Sequence, residues 1–245
     1  PEMSSKAATE NASDIDARYQ EGLEALNNGN DLLAEQVFRD VLEKAPKHAE
    51  ASLNFAYLLS KRRDTDQAEY FLRQTIRLNP QCAEAFLNLG ALLTTSKRYD
   101  EAEAICTKAV TLNSQSPQPW SNLGVLYARL KREKEPEQCH RTAMRLSAEH
   151  KASRFNLSYL LLRQGRYEEG WSCLEERRWY TAVEEKISCP RWRGQALADK
   201  SLLITPEAGH GDMIQFIRYA RVLREQHLKR IDVLCHPALK ALFAE

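Results

Sequence analysis

The chain has 245 residues, and its 35 basic and 34 acidic side chains leave a net charge of +1. That length exceeds one typical compact domain and suffices for two, and the even charge balance gives no pull toward nucleic acid or an anionic membrane surface. At 43% apolar and 28% charged residues it reads as a folded chain with many exposed helix faces, and no window reaches the roughly 18 consecutive apolar residues of a membrane helix.

The first segment, 1–14, is polar from Pro1 to Ala12 and lacks the apolar stretch of a leader. It is expected to be flexible. From Ile15 a register of about 34 residues runs through residue 179 without an insertion. Its five units begin at Ile15, Ala49, Ala83, Pro117 and Lys151. The seventh place holds Phe55, Leu89, Leu123 and Leu157, and the eleventh Leu59, Leu93, Tyr127 and Leu161. The eighth place, where two helices approach closely, holds Gly22, Ala56, Gly90, Gly124 and Ser158. The twentieth holds Ala34, Ala68, Ala102, Pro136 and Gly170, and the twenty-fourth Phe38, Leu72, Cys106, His140 and Leu174.

Within each unit the apolar places fall at i, i+3, i+4 and i+7, one helical stripe. Asn28-Gly29-Asn30, Lys97-Arg98-Tyr99-Asp100 and Gln164-Gly165-Arg166 separate two such helices, and Pro46 and Pro80 end the second one. Pro136 is tolerated only in a first helical turn, so the second helix of unit four should begin late, near Glu135. A pair of helices cannot bury its stripe alone, so the units should stack on a shared core.

The first helix of each unit should line the inner groove. The sixth place reads Asn54, Asn88, Asn122 and Asn156, with Gln20 in unit one. Asparagine is a poor helix-interior residue. Its carboxamide can bind a peptide C=O and N–H together, so a row of them can hold an extended backbone without reading its sequence. The alternative is that the asparagines solvate the groove or bond between helices. Tyr57 and Tyr159, three places on, add aromatic surface beside the row or pack at the core edge.

After Trp179 the pattern changes. Residues 180–200 read as a linker containing Pro190-Arg191-Trp192-Arg193-Gly194, and 201–245 as a partial α/β domain. There, Ser201 to Thr205 reads as a strand, Pro206 to Asp212 as a loop, and Met213 to Gln226 as an amphipathic helix with Ile214, Ile217, Ala220 and Leu223 on one face. Arg230 to Cys235 reads as a second strand and Pro237 to Phe243 as the start of another helix. This βαβ order demands a parallel pair. Gly209 and Gly211 open a helix N-terminus suited to a phosphate or carboxylate, although the spacing lacks the third glycine of a dinucleotide fingerprint. Asp212 fits an N-cap.

None of the six cysteines forms a CxxC pair and no Cys/His spacing matches a metal cluster. They read as reduced thiols of a cytoplasmic protein. No metal is expected.

The repeated positions resemble the tetratricopeptide family over roughly two thirds of the chain. The resemblance implies a mainly α fold, a right-handed α-solenoid that binds an extended peptide or protein. Asn88-Leu89-Gly90 and Asn122-Leu123-Gly124 are similar to the asparagine ladder of the O-GlcNAc transferase repeat superhelix. From Pro190 to Ala220 the chain resembles bacterial proteins that fuse such repeats to a GT-B, Rossmann-like glycosyltransferase domain, and also the heptosyltransferase-like families. It keeps Glu207, Gly209, Gly211 and Asp212 of their Glu-Gln-Gly-Leu-Gly-Asp segment, with Ala208 and His210 as departures. That resemblance implies Asp212 as the base for an acceptor hydroxyl, assisted by His210, with Gly209 and Gly211 in the acceptor loop. No donor-phosphate site stands before Glu245, so no cofactor is expected in this chain, and a nucleotide-sugar donor only if a second Rossmann-like domain follows. The expectation is the acceptor-selecting part of a glycosyltransferase, inactive alone. A non-catalytic tetratricopeptide adaptor is the alternative.

Overall fold

The computed structural model describes residues 2–175, 185–206 and 210–243, in two compact units divided after Leu174. The first unit is entirely helical. Its helices are α1 (Glu2–Asn27), α2 (Asp31–Lys44), α3 (Ala49–Lys61), α4 (Thr65–Leu78), α5 (Ala83–Thr95), α6 (Tyr99–Leu112), α7 (Pro117–Arg129), α8 (Glu135–Leu146), α9 (Lys151–Arg163) and α10 (Tyr167–Leu174). Each odd-numbered helix packs most closely on the even-numbered helix that follows it, and each pair then packs on the next. The odd-numbered helices α3, α5, α7 and α9 also touch one another in succession, more closely than successive even-numbered helices do. They therefore form the inner layer of the stack.

The register explains this packing. Ala34, Ala68 and Ala102 have no exposed surface, nor have Ala56, Leu59, Leu89, Leu93, Leu157 and Leu161. A Cβ placed on Gly22 would lie 2.6 Å from Phe38 Cε1, one on Gly90 2.6 Å from Cys106 Sγ, and one on Gly124 2.8 Å from His140 Cε1. In these three units the eighth place thus faces the twenty-fourth, and a hydrogen there lets the two helices close.

Every inner helix ends alike. Gly29, Arg63, Lys97, Lys131 and Gly165 all adopt the left-handed conformation, with φ from 59° to 76°. Just beyond them the N–H groups of Asn30, Asp64, Arg98, Arg132 and Arg166 reach back to Ala25, Leu59, Leu93, Tyr127 and Leu161 O at 2.9–3.0 Å. These are Schellman ends, which satisfy the last carbonyls and reverse the chain. The outer helix then starts on an Asn30 or Asp64 cap in the first two units. In unit four α8 begins at Glu135, with Pro136 in its first turn, as the missing proline N–H requires.

One difference concerns the N-terminus. The segment 1–14, expected to be flexible, is helical from Glu2 as the start of α1. No proline or glycine lies between Glu2 and Ile15, and alanine, glutamate and lysine favour helix.

The second unit contains two parallel strands, β1 (Ser201–Ile204) and β2 (Arg230–Val233), paired from Ser201 with Arg230 to Ile204 with Val233. Between them lie α11 (His210–Phe216) and α12 (Tyr219–Arg224). The single helix expected from Met213 to Gln226 is therefore broken at Ile217-Arg218, where the Ala220 and Arg221 N–H groups bond three residues back. The expected stripe was spaced by three throughout, which an α-helix cannot keep on one face. Met213 is buried in place of Ile214, which is 47% exposed. The helix expected from Pro237 is a single 3₁₀ turn, Pro237–Leu239, with His236 Nδ1 accepting from Ala238 N–H. The described part of 180–200 belongs to this unit: Leu197 is buried, and the Trp192 indole N–H donates to Gln195 O at 2.7 Å.

Candidate functional site on the inner helices

The exposed or half-buried side of each inner helix repeats with the unit. It carries Asp16, Gln20, Leu23 and Asn27 on α1, and Glu50, Asn54, Tyr57 and Lys61 on α3. On α5 it carries Glu84, Asn88, Ala91 and Thr95. On α7 and α9 it carries Gln118, Asn122, Val125 and Arg129, then Ala152, Asn156, Tyr159 and Arg163. Steps of four, three and four residues keep these side chains on one face, opposite the buried stripe.

The asparagine row lies along the middle, each member half-buried. Its members do not behave alike. Asn54 Nδ2 donates to the Tyr19 hydroxyl at 3.0 Å, a bond between two units. Asn122 Oδ1 accepts from Gln118 Nε2 at 2.8 Å, and Gln118 Oε1 in turn meets His150 Nε2 at 3.1 Å. Asn88 and Asn156 make no side-chain hydrogen bond among the described residues. A half-buried carboxamide with both ends open is what a ligand backbone can use. Tyr57 and Tyr159 are 48% and 56% exposed, so both present surface to solvent, and Tyr159 stands edge-on to Phe155 at 5.1 Å.

The acceptor-loop residues lie in the other unit. Gly209 is outside the described residues. His210 is the first residue of α11. Asp212 is exposed and without a hydrogen bond or ion pair among the described residues. A Cβ on Gly211 would meet nothing within 4 Å, so no close backbone approach demands glycine there.

Three features escaped sequence reading. Arg63, Lys97 and Lys131 occupy left-handed positions that Gly29 and Gly165 mark in their own units. Glu35, Glu69, Glu103 and Glu137, all at one register place, accept from Arg62, Arg98, Arg132 and Arg166 of the next unit at 2.6–2.9 Å. The second unit also holds a cavity of about 840 Å³ walled by Trp192, Leu202, Ile204, Phe216, Tyr219 and Leu223 among others. No group of three His, Cys, Asp or Glu placed to hold a metal ion occurs among the described residues, and no helix there is long and apolar enough to cross a membrane.

Residues 34–147 match the family model for the middle TPR-like domain of cilia and flagella-associated protein 70. No curated protein matches the chain. Among solved structures, Pseudomonas aeruginosa PilF is similar at 21% identity with a TM-score of 0.62, covering 95% of this chain and 93% of its own. MamA from residue 41 to its end, from Desulfovibrio magneticus RS-1, is similar at 15% identity with a TM-score of 0.59, covering 71% and 97%. The MamA RS-1 ArsTM double mutant gives 15%, a TM-score of 0.58, and 70% and 95%. These likenesses concern the fold. The helical unit has the fold of a TPR-like array.

Proposed function

We propose that this TPR-like array holds an extended segment of a partner protein along the exposed stripe of α1, α3, α5, α7 and α9. The observation that supports it most is the pair Asn88 and Asn156, half-buried at one register place with carboxamides that nothing among the described residues occupies. Each amide–backbone bond contributes about 0.5–1.5 kcal/mol net, so several must act together. Asn54 serves a second purpose by tying α3 to Tyr19.

The test is a selection of binding peptides from a random display library on the full chain, followed by affinity measurement on the Asn88→Ala/Asn156→Ala variant. The reading expects selected peptides to lose about tenfold in affinity while the melting temperature stays within a degree or two. Selected peptides that bind variant and parent alike would remove the asparagine row from the account.

A second reading makes the array the acceptor-selecting arm of a GT-B-type glycosyltransferase. One observation favours it: the segment 205–212 leaves the C-terminal end of β1 in a parallel pair, where α/β proteins place ligand loops. In that reading Asp212 is the base, His210 assists it, Gly209 and Gly211 shape the loop, and a nucleotide-sugar site lies on a further Rossmann-like domain. Unchanged sugar transfer by an Asp212→Asn variant of a longer protein containing this chain would exclude that role. The sequence holds no CxxC pair, which suits a cytoplasmic setting.

A further inference from the structure

The charges at the two rims of the stripe change along the array. Along one rim stand Asp16 in mid-α1, Glu50 and Glu84 in the first turns of α3 and α5, then Gln118 and Ala152; at the last-turn rim, Arg129 and Arg163 close the final two inner helices. Acid in a first turn and base in a last turn suit the helix dipole. The dipole acts equally on α3, α5, α7 and α9, however, and it does not explain why the acid stops after α5.

The local surroundings leave these charges uncompensated. Glu84 makes no ion pair among the described residues. Glu50 meets only His48 Nδ1, at 3.4 Å, and that nitrogen already accepts the Ala51 N–H at 3.2 Å, so it offers no proton. Both carboxylates act on one phenol. The Tyr19 hydroxyl is pushed up by burial first, then by Glu50, and also by Glu84, although the Asn54 bond opposes the rise. Glu50 and Glu84 stand at the same register place in successive units. At the other end, Arg129 and Arg163 are exposed and unpaired among the described residues, whereas Arg132 and Arg166 are held by Glu103 and Glu137. Lys61, at the same register place, is occupied by Asp31.

We propose that the segment bound on this stripe is itself dipolar, with a basic residue over Glu50 and Glu84 and an acidic residue over Arg129 and Arg163. The inference rests on the groove reading above and adds the charge pattern of the partner. Tyr57, Ala91, Val125 and Tyr159 lie between the two ends and take neutral or apolar side chains. Exposed charge pairs contribute little each, but like-charge mismatch is penalised, so the pattern fixes which way round the segment lies.

The test uses the full chain and five fluorescein-labelled synthetic peptides with one shared neutral centre of Leu, Ser and Gly. Their ends are lysine then glutamate, glutamate then lysine, lysine at both, glutamate at both, and glutamine at both. Fluorescence anisotropy at low salt reads the affinities, with circular dichroism to check that variants fold. One of the two dipolar peptides should bind about threefold to tenfold tighter than the glutamine peptide, and the other should not. Glu50→Gln/Glu84→Gln and Arg129→Gln/Arg163→Gln should each remove that advantage and leave the glutamine peptide unchanged. If the glutamine peptide binds as tightly as both dipolar ones, or the advantage survives both variants, the charge inference fails while the groove reading stands. If none of the five binds, both fail.

Discussion

His140 occupies a place that phenylalanine, leucine or cysteine fills in other units, and it fits because Gly124 leaves room for the ring. Its side chain is 1% exposed and Nδ1 has no hydrogen-bond partner. Burial, and then nearby His150, push its pKa down to about 4. The fold therefore favours the neutral ring. That contribution is complete above the unfolded value of about 6.5 and is lost as pH falls from there through about 4, a change of roughly 3 kcal/mol. His140→Leu should flatten the pH dependence of unfolding free energy across that window, measured by urea titration at a series of pH values. A second residue-scale expectation concerns Lys97, at φ 62° where Gly29 and Gly165 stand in their units. Lys97→Gly should stabilise by about 0.5–1 kcal/mol, read as a rise in urea midpoint at unchanged slope. Neither feature was legible in the sequence. A histidine at a core place was visible, but not whether its nitrogen finds a partner, and lysine carries no turn signature.

At the scale of the helix pair, the ion-pair row joins each unit to the next. Glu137 accepts from Arg141 of its own helix and from Arg166 across the junction. Burial raises its pKa, yet the hydrogen bonds from Arg166 and Arg141 outweigh that and hold it below the usual carboxylate range. Glu69 behaves the same way between Arg98 and Arg73. A depressed carboxylate contributes stability above its unfolded value of about 4.3, and the contribution disappears as pH falls below that. Glu137→Gln should cost about 1 kcal/mol at neutral pH and low salt, and the cost should shrink in about 0.5 M salt. Thermal unfolding in the two buffers checks it. The partners stand 27 or 29 residues apart, beyond the reach of any rule for charges on one helix. What was legible at this scale is the apolar register, because a small eighth place (glycine, alanine or serine) paired with a larger twenty-fourth recurs in each unit. The break between α11 and α12 was not, since no proline or glycine marks Ile217-Arg218.

For the whole molecule, repeat length and stripe phase were enough to reach a TPR-like array, since helix starts at Ala49, Ala83, Pro117 and Lys151 follow the register. The binding face was legible only in outline. The asparagine row can be read from the sequence, but the bonds that occupy Asn54 and Asn122 and leave Asn88 and Asn156 open depend on how neighbouring units sit. The acceptor-loop residues Gly211 and Asp212 are found exposed, and their chemistry rests on resemblance alone. The central claim is that the partner segment lies on the inner helices. Benzophenone photo-crosslinking of a selected peptide, from side chains introduced at Ala91 and Val125 and at Lys108 on the outer helix α6, tests it most directly. The account predicts crosslinks from positions 91 and 125 that excess unlabelled peptide abolishes, and none from 108; crosslinking from 108 with positions 91 and 125 silent would contradict it.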